Sequence, residues 1–374
     1  MTLILLVSFA AGLLATLGVV ASARWHSRWS HDHDLSGPQK MHVEAVPRVG
    51  GVGILAGIVA GVLATAWLAP ALARQALLFL ACLAPAFAVG LWEDFTKAIS
   101  PRRRMVVLAL SGLLGALLLG GVILRTGFVP LDRVILANGL AWTGLAGAVF
   151  GVTGVSNSVN IIDGMNGLAS GCVALMSCAL AWIAWQVHDT LVLGLALATL
   201  GATLGFFAWN FPRGKVFLGD GGAYTLGFVV AELGILVAAR HPDVSMLAPL
   251  LIIVYPFFET LFSMYRRRVL QSRSMTQPDG IHLHTLIYRR LRRDAYMDRR
   301  RANSSTSPFL WLLASVGIAP AAIWWDDSPM LFLALIGFVI AYLSTYWRIV
   351  RFRSPRWMKA ARRGGGDRSG PQPR

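Results

Sequence analysis

Charge is scarce in this 374-residue chain. Only 14% of its residues are Asp, Glu, Lys or Arg, and the acids number 18 against 34 bases. So little charge cannot cover the surface of a soluble domain of this length, which argues against a water-soluble globular protein. Cysteine is rarer still. Cys82, Cys172 and Cys178 all fall inside apolar stretches, without metal-ligand spacing, so they read as small core residues and not as a disulfide framework. There is no internal repeat and no polar stretch long enough to fold as a soluble domain. A basic n-region is also missing ahead of the first apolar stretch, so Ala21-Ser22-Ala23 reads as the end of a retained helix and not as a cleavage site.

What the chain has in excess is long apolar runs, with 56% hydrophobic residues. A bilayer core takes about 20 apolar residues per helix. Runs of that kind lie near 1–23, 49–73, 75–92, 105–124, 136–157, 167–187, 190–209, 222–239, 244–265, 308–325 and 328–347. The pattern predicts an all-α integral membrane protein with about eleven transmembrane helices. The eighth and ninth runs are the least apolar, since they carry Glu232 and Glu259.

The connectors sort by charge. Of the 34 Lys and Arg residues, 30 lie in 24–48, 93–104, 210–221, 266–307 and 348–374; Arg74, Arg125, Arg133 and Arg240 lie in the alternate connectors. By the positive-inside rule the first set is cytoplasmic, which puts the N-terminus outside and the C-terminus inside. Residues 1–347 are expected to form a single polytopic domain, with 158–166 as a further cytoplasmic connector. The Gly-, Arg- and Pro-rich stretch 348–374 is expected to be a basic tail without fixed structure, held near the lipid headgroups. The net charge of +16 is spread over short connectors. That distribution suits membrane lipids and anionic substrates, not nucleic acid.

The unusual polar residues gather on the cytoplasmic side. The first connector reads PQKMHVEAVPRVGG, with Lys40 and Arg48. The third run leads into GLWEDFTKAISPRRR, with Glu93 and Asp94. Beyond the fifth comes NSVNIIDGMNGLASG, with Asn157, Asn160, Asp163 and Asn166. The seventh ends in NFPRGKVFLGDGGAYTLGF, with Asn210, Lys215 and Asp220. The ninth contains Glu259 and runs into Arg266, ahead of PDGIHLHTLIYRR with His282 and His284. Each has a structural alternative when taken singly. Glu93-Asp94 suits a charged helix end, Asp163-Gly164 a turn and Asp220 an N-cap; the arginine runs 102–104 and 266–268 suit topology signals and headgroup contacts. Together they point elsewhere. Acids converging from separate connectors repel one another unless a cation lies between them, and hard oxygen ligands suit Mg²⁺ or Mn²⁺. Glycine beside Asp163 and Asp220 admits a phosphate close to the backbone, and nearby Lys and Arg neutralise its oxygens. These are the parts of phosphoryl transfer.

With these motifs in order, the chain resembles the polyprenyl-phosphate N-acetylhexosamine-1-phosphate transferases, the WecA/MraY superfamily, over residues 38–290. NSVNIIDGMNGLASG and FLGDGGAYTLGF are the most specific signatures, supported by PRVGG, WEDFTKAISPRRR and DGIHLH. The resemblance implies that a polyprenyl (undecaprenyl) phosphate attacks the β-phosphorus of a UDP-sugar with Mg²⁺ or Mn²⁺, releasing UMP at the inner membrane of a bacterium. It implies catalytic roles for Glu93, Asp94, Asp163 and Asp220, with Asp220, Asp163 and Asp94 as metal ligands. Lys40, Arg48, Asn157, Asn160, Asn166, Asn210, Lys215, Glu259, Arg266, His282 and His284 are the expected substrate-binding residues.

Some positions depart from the family pattern. Glu93 stands for the usual first Asp of a pair, Asn166 for a second Asp, and GGAY for the commoner TGS. HLHT at 282–285 differs from the three-histidine run of the peptidoglycan-precursor branch, which places the chain nearer the WecA-like enzymes of surface-glycan assembly. GlcNAc is the default sugar, and a homodimer stays open. The rival expectations are a transporter or flippase, which holds its charged site near the bilayer midplane, and a non-catalytic scaffold.

Overall fold

The computed structural model describes residues 1–30, 46–127, 132–133, 141–270, 281–294 and 297–351. Among them every long element is a helix. In chain order these are α1 (Thr2–Ala21), α2 (Ala23–Ser30), α3 (Gly51–Leu68), α4 (Ala73–Thr96), α5 (Pro101–Leu119), α6 (Ala141–Ile162) and α7 (Leu168–Gln186). Then follow α8 (Thr190–Asn210), α9 (Gly219–Arg240), α10 (Leu247–Ile252), α11 (Val254–Tyr265), α12 (Leu283–Asp294), α13 (Arg299–Ile323) and α14 (Ser328–Val350). Lys40 and the tail from 352 onward lie outside the described residues.

Nine helices among the described residues are long and apolar enough to cross a bilayer, two fewer than the eleven expected. The two remaining runs differ for separate reasons. The helix over 105–124 begins earlier, at Pro101, and takes three arginines into its first turns. The run 244–265 is broken at Ile253 into two short helices, α10 and α11, with Pro249 and Pro256 on either side of the break. Two connectors are also more helical than expected. α6 continues through Asn157 and Asn160 to Ile162, and the long connector 266–307 contains α12 and the first turns of α13.

α9 is the centre of the bundle. Its sequence is apolar all round, so it is buried along nearly its whole length. At 1.5 Å per residue its 22 residues reach about 33 Å, roughly the thickness of a hydrocarbon core. α4, α6 and α3 pack around it, while α1 and α14 lie at the rim with few buried positions. Outward side chains such as Leu14, Phe150 and Leu312 are fully apolar and exposed, which suits lipid and not water.

α1, α3 and α8 meet on small residues. Gly53, Gly57 and Gly61 recur every fourth position along α3. A Cβ on Gly57 would lie 2.6 Å from the Cβ of Ala202 and 2.8 Å from the Ser8 carbonyl oxygen. Such close backbone approach drives helix association where lipid removes the hydrophobic difference. The hydroxyls of Ser8 and Thr16 donate to the carbonyls of Ile4 and Gly12 in their own helix, so the seam carries no open polar group at those positions.

Candidate active site

The sequence-predicted residues converge on one end of the bundle because of how α9 begins. The segment before it, 217–218, pairs with the segment before α3: Phe217 N–H donates to Pro47 O, and Gly50 and Gly51 N–H donate to Phe217 O and Leu218 O at 3.0 Å each. That pairing brings Arg48 to the N-terminus of α9. Gly219 then turns the chain with φ +72, and a Cβ there would overlap the Arg48 carbonyl and crowd the Asp94 carboxylate. Gly90 of α4 lies against the Asp220 backbone in the same way, so α4 and α9 touch without side chains between them.

Asp94, in the last turns of α4, is buried and aimed at this helix start. Its Oδ1 accepts the N–H of Asp220 at 2.8 Å and its Oδ2 that of Gly221 at 2.9 Å. It therefore caps α9, where the helix dipole favours a negative charge. Asp220 projects from the first turn. Asn160 Nδ2 donates to its Oδ1 at 2.9 Å, and Arg104 Nη1 donates to its Oδ2 at 3.1 Å. Arg48 lies between the two acids, 3.9 Å from Asp94 and 3.8 Å from Asp220. Glu93 points the other way round the α4 end: its Oε2 accepts Ile99 N–H at 2.9 Å, and its Oε1 lies 3.6 Å from Arg104. Asp163 follows α6 in a turn whose N–H donates to Asn160 O. Burial, then the charge of Asp220, push its carboxyl up to about 7, with Arg48 pulling the other way.

Asn157 lies half-buried one turn before Asn160 on α6. Asn166 and Asn210 hold the backbone of the site together. Asn166 N–H donates to Asn303 Oδ1 at 2.8 Å and its Nδ2 to Pro212 O at 3.1 Å. Asn210 Oδ1 accepts Gly167 N–H at 2.6 Å, and its Nδ2 donates to Val216 O at 2.8 Å. These two residues lock the 163–167 turn to the 210–218 loop. Lys215 is exposed, its ammonium 5.0 Å above the Trp209 ring.

Glu259, Arg266, His282 and His284 form a second buried group beside the first. Glu259 Oε1 lies 3.0 Å from His282 Nδ1, and Arg266 Nη1 donates to the Tyr346 hydroxyl at 2.8 Å. The link between the groups is His284, whose Nε2 would stand 2.6 Å from a Cβ on Gly164.

The structure adds Arg104, one of three consecutive arginines that suit a topology signal. Its position follows from the cap of α5: Ser100 Oγ accepts Arg103 N–H and Pro101 opens the helix. Arg102 and Arg103 are then exposed, and Arg104 turns inward. Among the described residues no three His, Cys, Asp or Glu side chains are arranged to close around a metal ion. Asp94 has both oxygens on backbone N–H groups; Asp163 and Asp220, near enough for the charge of one to bear on the other, make no such backbone contacts through their side chains among the described residues. A hard divalent cation held by one or two carboxylates, with phosphate oxygens completing its shell, fits that pair.

A family model described as glycosyl transferase family 4 matches residues 76–238, which span α4 to α9 and include Glu93, Asp94, Asp163 and Asp220. The chain is 28% identical over 251 residues, 66% of each chain, to a probable undecaprenyl-phosphate N-acetylglucosaminyl 1-phosphate transferase of Bacillus subtilis. It is 28% identical over 326 residues, 84% of each chain, to the undecaprenyl-phosphate alpha-N-acetylglucosaminyl 1-phosphate transferase of Escherichia coli O157:H7. To a phospho-N-acetylmuramoyl-pentapeptide-transferase of Mycobacterium ulcerans it is 30% identical over 244 residues, 55% of this chain and 68% of that one. Of several further relatives with that last description it spans 59%, 60% and 64% of the length.

Proposed function

The chain belongs to glycosyl transferase family 4, within the WecA/MraY superfamily, and from that premise we propose that it transfers a HexNAc-1-phosphate from a UDP-sugar to undecaprenyl or another polyprenyl phosphate, releasing UMP. GlcNAc is the proposed sugar, and the step opens a cell-surface glycan pathway. The observation that carries this reading is the meeting of Asp94, Asp163, Asp220, Arg48 and Arg104 at the start of α9. Asp94 and Asp220 lie by Arg48, and Asp220 and Glu93 by Arg104, so among the described residues the acids there outnumber the arginines they pair with. The names of the Bacillus and Escherichia relatives support the choice of carrier and sugar.

In this reading the connectors that bear the site face the cytoplasm, with the N-terminus outside. Eleven crossings result if α5 and the α10–α11 pair complete the nine long apolar helices. The membrane is the inner membrane of a bacterium.

The reaction is a single in-line displacement. An oxygen of the carrier phosphate attacks the β-phosphorus, the bond from that phosphorus to the bridging oxygen breaks, and UMP leaves with the electron pair. The carrier phosphate is largely dianionic near neutral pH and needs no strong base. What limits it is repulsion from the anionic donor. Arg48 and Arg104, both in ion-pair reach of Asp220, turn to the phosphates as these arrive, and Lys40 adds a third cation. Asp163 and Asp220 are the proposed holders of Mg²⁺ or Mn²⁺. The ion, when bound, neutralises charge on the diphosphate. Asp94 fixes the helix start that carries Asp220, and Asn160 keeps that carboxylate oriented.

Purified protein in lipid, supplied with undecaprenyl phosphate, Mg²⁺ and a panel of UDP-HexNAc donors, tests the proposal. UMP release with a single preferred donor is the expected result. Carrier-independent binding and no UMP with any donor would sink it. With a chiral β-phosphorus, inversion in one turnover is expected; retention would show a covalent phospho-enzyme instead.

A further inference from the structure

Glu259 was expected to meet a substrate, yet the structure gives it a different place. It is fully buried in α11 and accepts three hydrogen bonds. The Tyr342 hydroxyl donates to Oε2 at 2.7 Å, while Leu283 N–H at 3.2 Å and His282 Nδ1 at 3.0 Å reach Oε1. A carboxylate with three donors and no exposure holds other groups in place. Because a carboxylate oxygen only accepts, its contact with His282 puts a proton on Nδ1.

His282 passes this orientation on. Its ring stacks on His284 with centroids 5.4 Å apart and planes 8° from parallel. Both rings are buried, and His284 abuts Gly164, next to Asp163. The far end of the chain of contacts is α14, the last helix, which lies beyond the matched residues 76–238 and beyond every family motif in the sequence. Tyr342 is itself fixed edge-on by Phe258 and Phe262, at 4.9 and 5.6 Å between centroids.

We propose that Tyr342 and Glu259 are positioning residues of the site: they hold His282 as the Nδ1–H tautomer and so set the His282–His284 stack against the Asp163 turn, where the donor diphosphate binds. This rests on the transferase reading for the identity of the ligand, but not for the geometry. Without the tyrosine hydroxyl, Oε2 is left buried and unsatisfied, and the carboxylate is no longer held in the orientation that fixes His282.

The test uses full-length protein with ¹⁵N-labelled histidine, reconstituted in phospholipid bilayers. Solid-state ¹⁵N NMR reads the tautomer of His282, its signals assigned by their loss in His282→Gln. Wild type is expected to show Nδ1–H, and Tyr342→Phe a mixture of both tautomers. In UMP-release kinetics Tyr342→Phe should raise KM for the UDP-sugar about tenfold, the lower end for groups that act through a ligand-binding histidine, and leave KM for undecaprenyl phosphate unchanged. In a His282→Gln background the same change should add nothing. Should Tyr342→Phe fail to fold, Glu259→Gln reads the same tautomer with side-chain volume kept. An unaltered His282 tautomer in the folded variant, or effects that add in full to those of His282→Gln, overturns the proposal. A wild type that releases no UMP removes the transferase reading, and the NMR comparison then decides the positioning role on its own.

Discussion

The two ends of α9 treat a carboxylate in opposite ways. Away from the site, Asp189 at the start of α8 has two basic side chains beside it: Arg240 Nε at 2.6 Å and His241 Nε2 at 2.9 Å. It also caps α8 by accepting Val192 N–H. These hydrogen bonds and the Arg240 charge hold its carboxyl below the usual range despite burial. At the Asp220 end, Asp94, Asp220 and Glu93 share Arg48 and Arg104, and Asp163 beside them is pushed up to about 7. One end is balanced and has the form of a structural clasp. At the other, acids outnumber the arginines beside them among the described residues, which suits the proposed uptake of a cation and phosphates.

The largest effect expected from breaking this contrast is at Asp220. Asp220→Ala should cut UMP release by a factor of at least about 100, the scale seen when a charge-stabilising group is lost from a reaction centre; turnover at the wild-type rate would refute its role. Removal of divalent cations with EDTA should likewise stop release, and added Mg²⁺ or Mn²⁺ should restore it. Activity that survives chelation would show that the acid excess serves some other cation.

Arg104 comes next. Arg104→Ala should lower kcat/KM about tenfold to 100-fold, and Arg104→Lys should recover only part, since lysine lacks the planar fork that serves a carboxylate and a phosphate alike. Equal turnover in Arg102→Ala and Arg104→Ala would mean that the inward turn of Arg104 has no functional weight.

Asn166 sharpens the comparison differently. The resemblance makes it the site of a missing acid, yet its Nδ2 donates to Pro212 O. Asn166→Asp replaces that donor with a charge facing a carbonyl. It should cost about 1–3 kcal/mol of stability and gain no affinity for Mg²⁺. Tighter metal binding in thermal-shift titrations would place Asn166 among the ligands instead.

The smallest functional effect belongs to Asp189. Asp189→Asn should lower the melting temperature and leave UMP release per folded molecule unchanged. Because the folded carboxyl is held low, its contribution is complete above the ordinary carboxylate range and fades as pH falls through the depressed value. The stability gap between wild type and variant should therefore close only in strong acid. A gap that closed already near neutral pH would show that the protonation of Asp189 does not control the clasp.

Much of the site was legible in the sequence because glycine and asparagine beside an acid are unusual at the edge of an apolar run. Asp163, Asp220 and Asn160 stand out that way, Asp94 stands out at a charged span end, His284 follows from the family resemblance, and the structure brings them to one end of the bundle. Arg104 was not legible. Three consecutive arginines read alike in one dimension, and only the phase of α5, fixed by Ser100 and Pro101, chooses which faces inward. The continuation of α6 through Asn157 and Asn160 was hidden for a related reason. Polar residues at a span's end suggest a loop, whereas here the helix keeps its hydrogen bonds and turns Asn160 toward Asp220. Glu259 carried a signal of burial but not of purpose, since its partner Tyr342 lies 83 residues away.

By itself the sequence determined that this is a polytopic helical membrane protein, since long uncharged runs have no other stable home. It also singled out a candidate set of acids, since several such Asp, Gly and Asn clusters fall on one side of the apolar runs. What the tertiary structure alone decided is which oxygen faces which partner. Asp94 caps a helix and Asp220 projects from it. Glu259 steers a histidine, and one arginine of three enters the pocket. Those outcomes depend on the close approach of α3, α4 and α9 across glycines, and on helix phase. The first is fixed by contacts between residues more than a hundred positions apart, the second by local caps such as Ser100, and neither can be read from spacing along the chain.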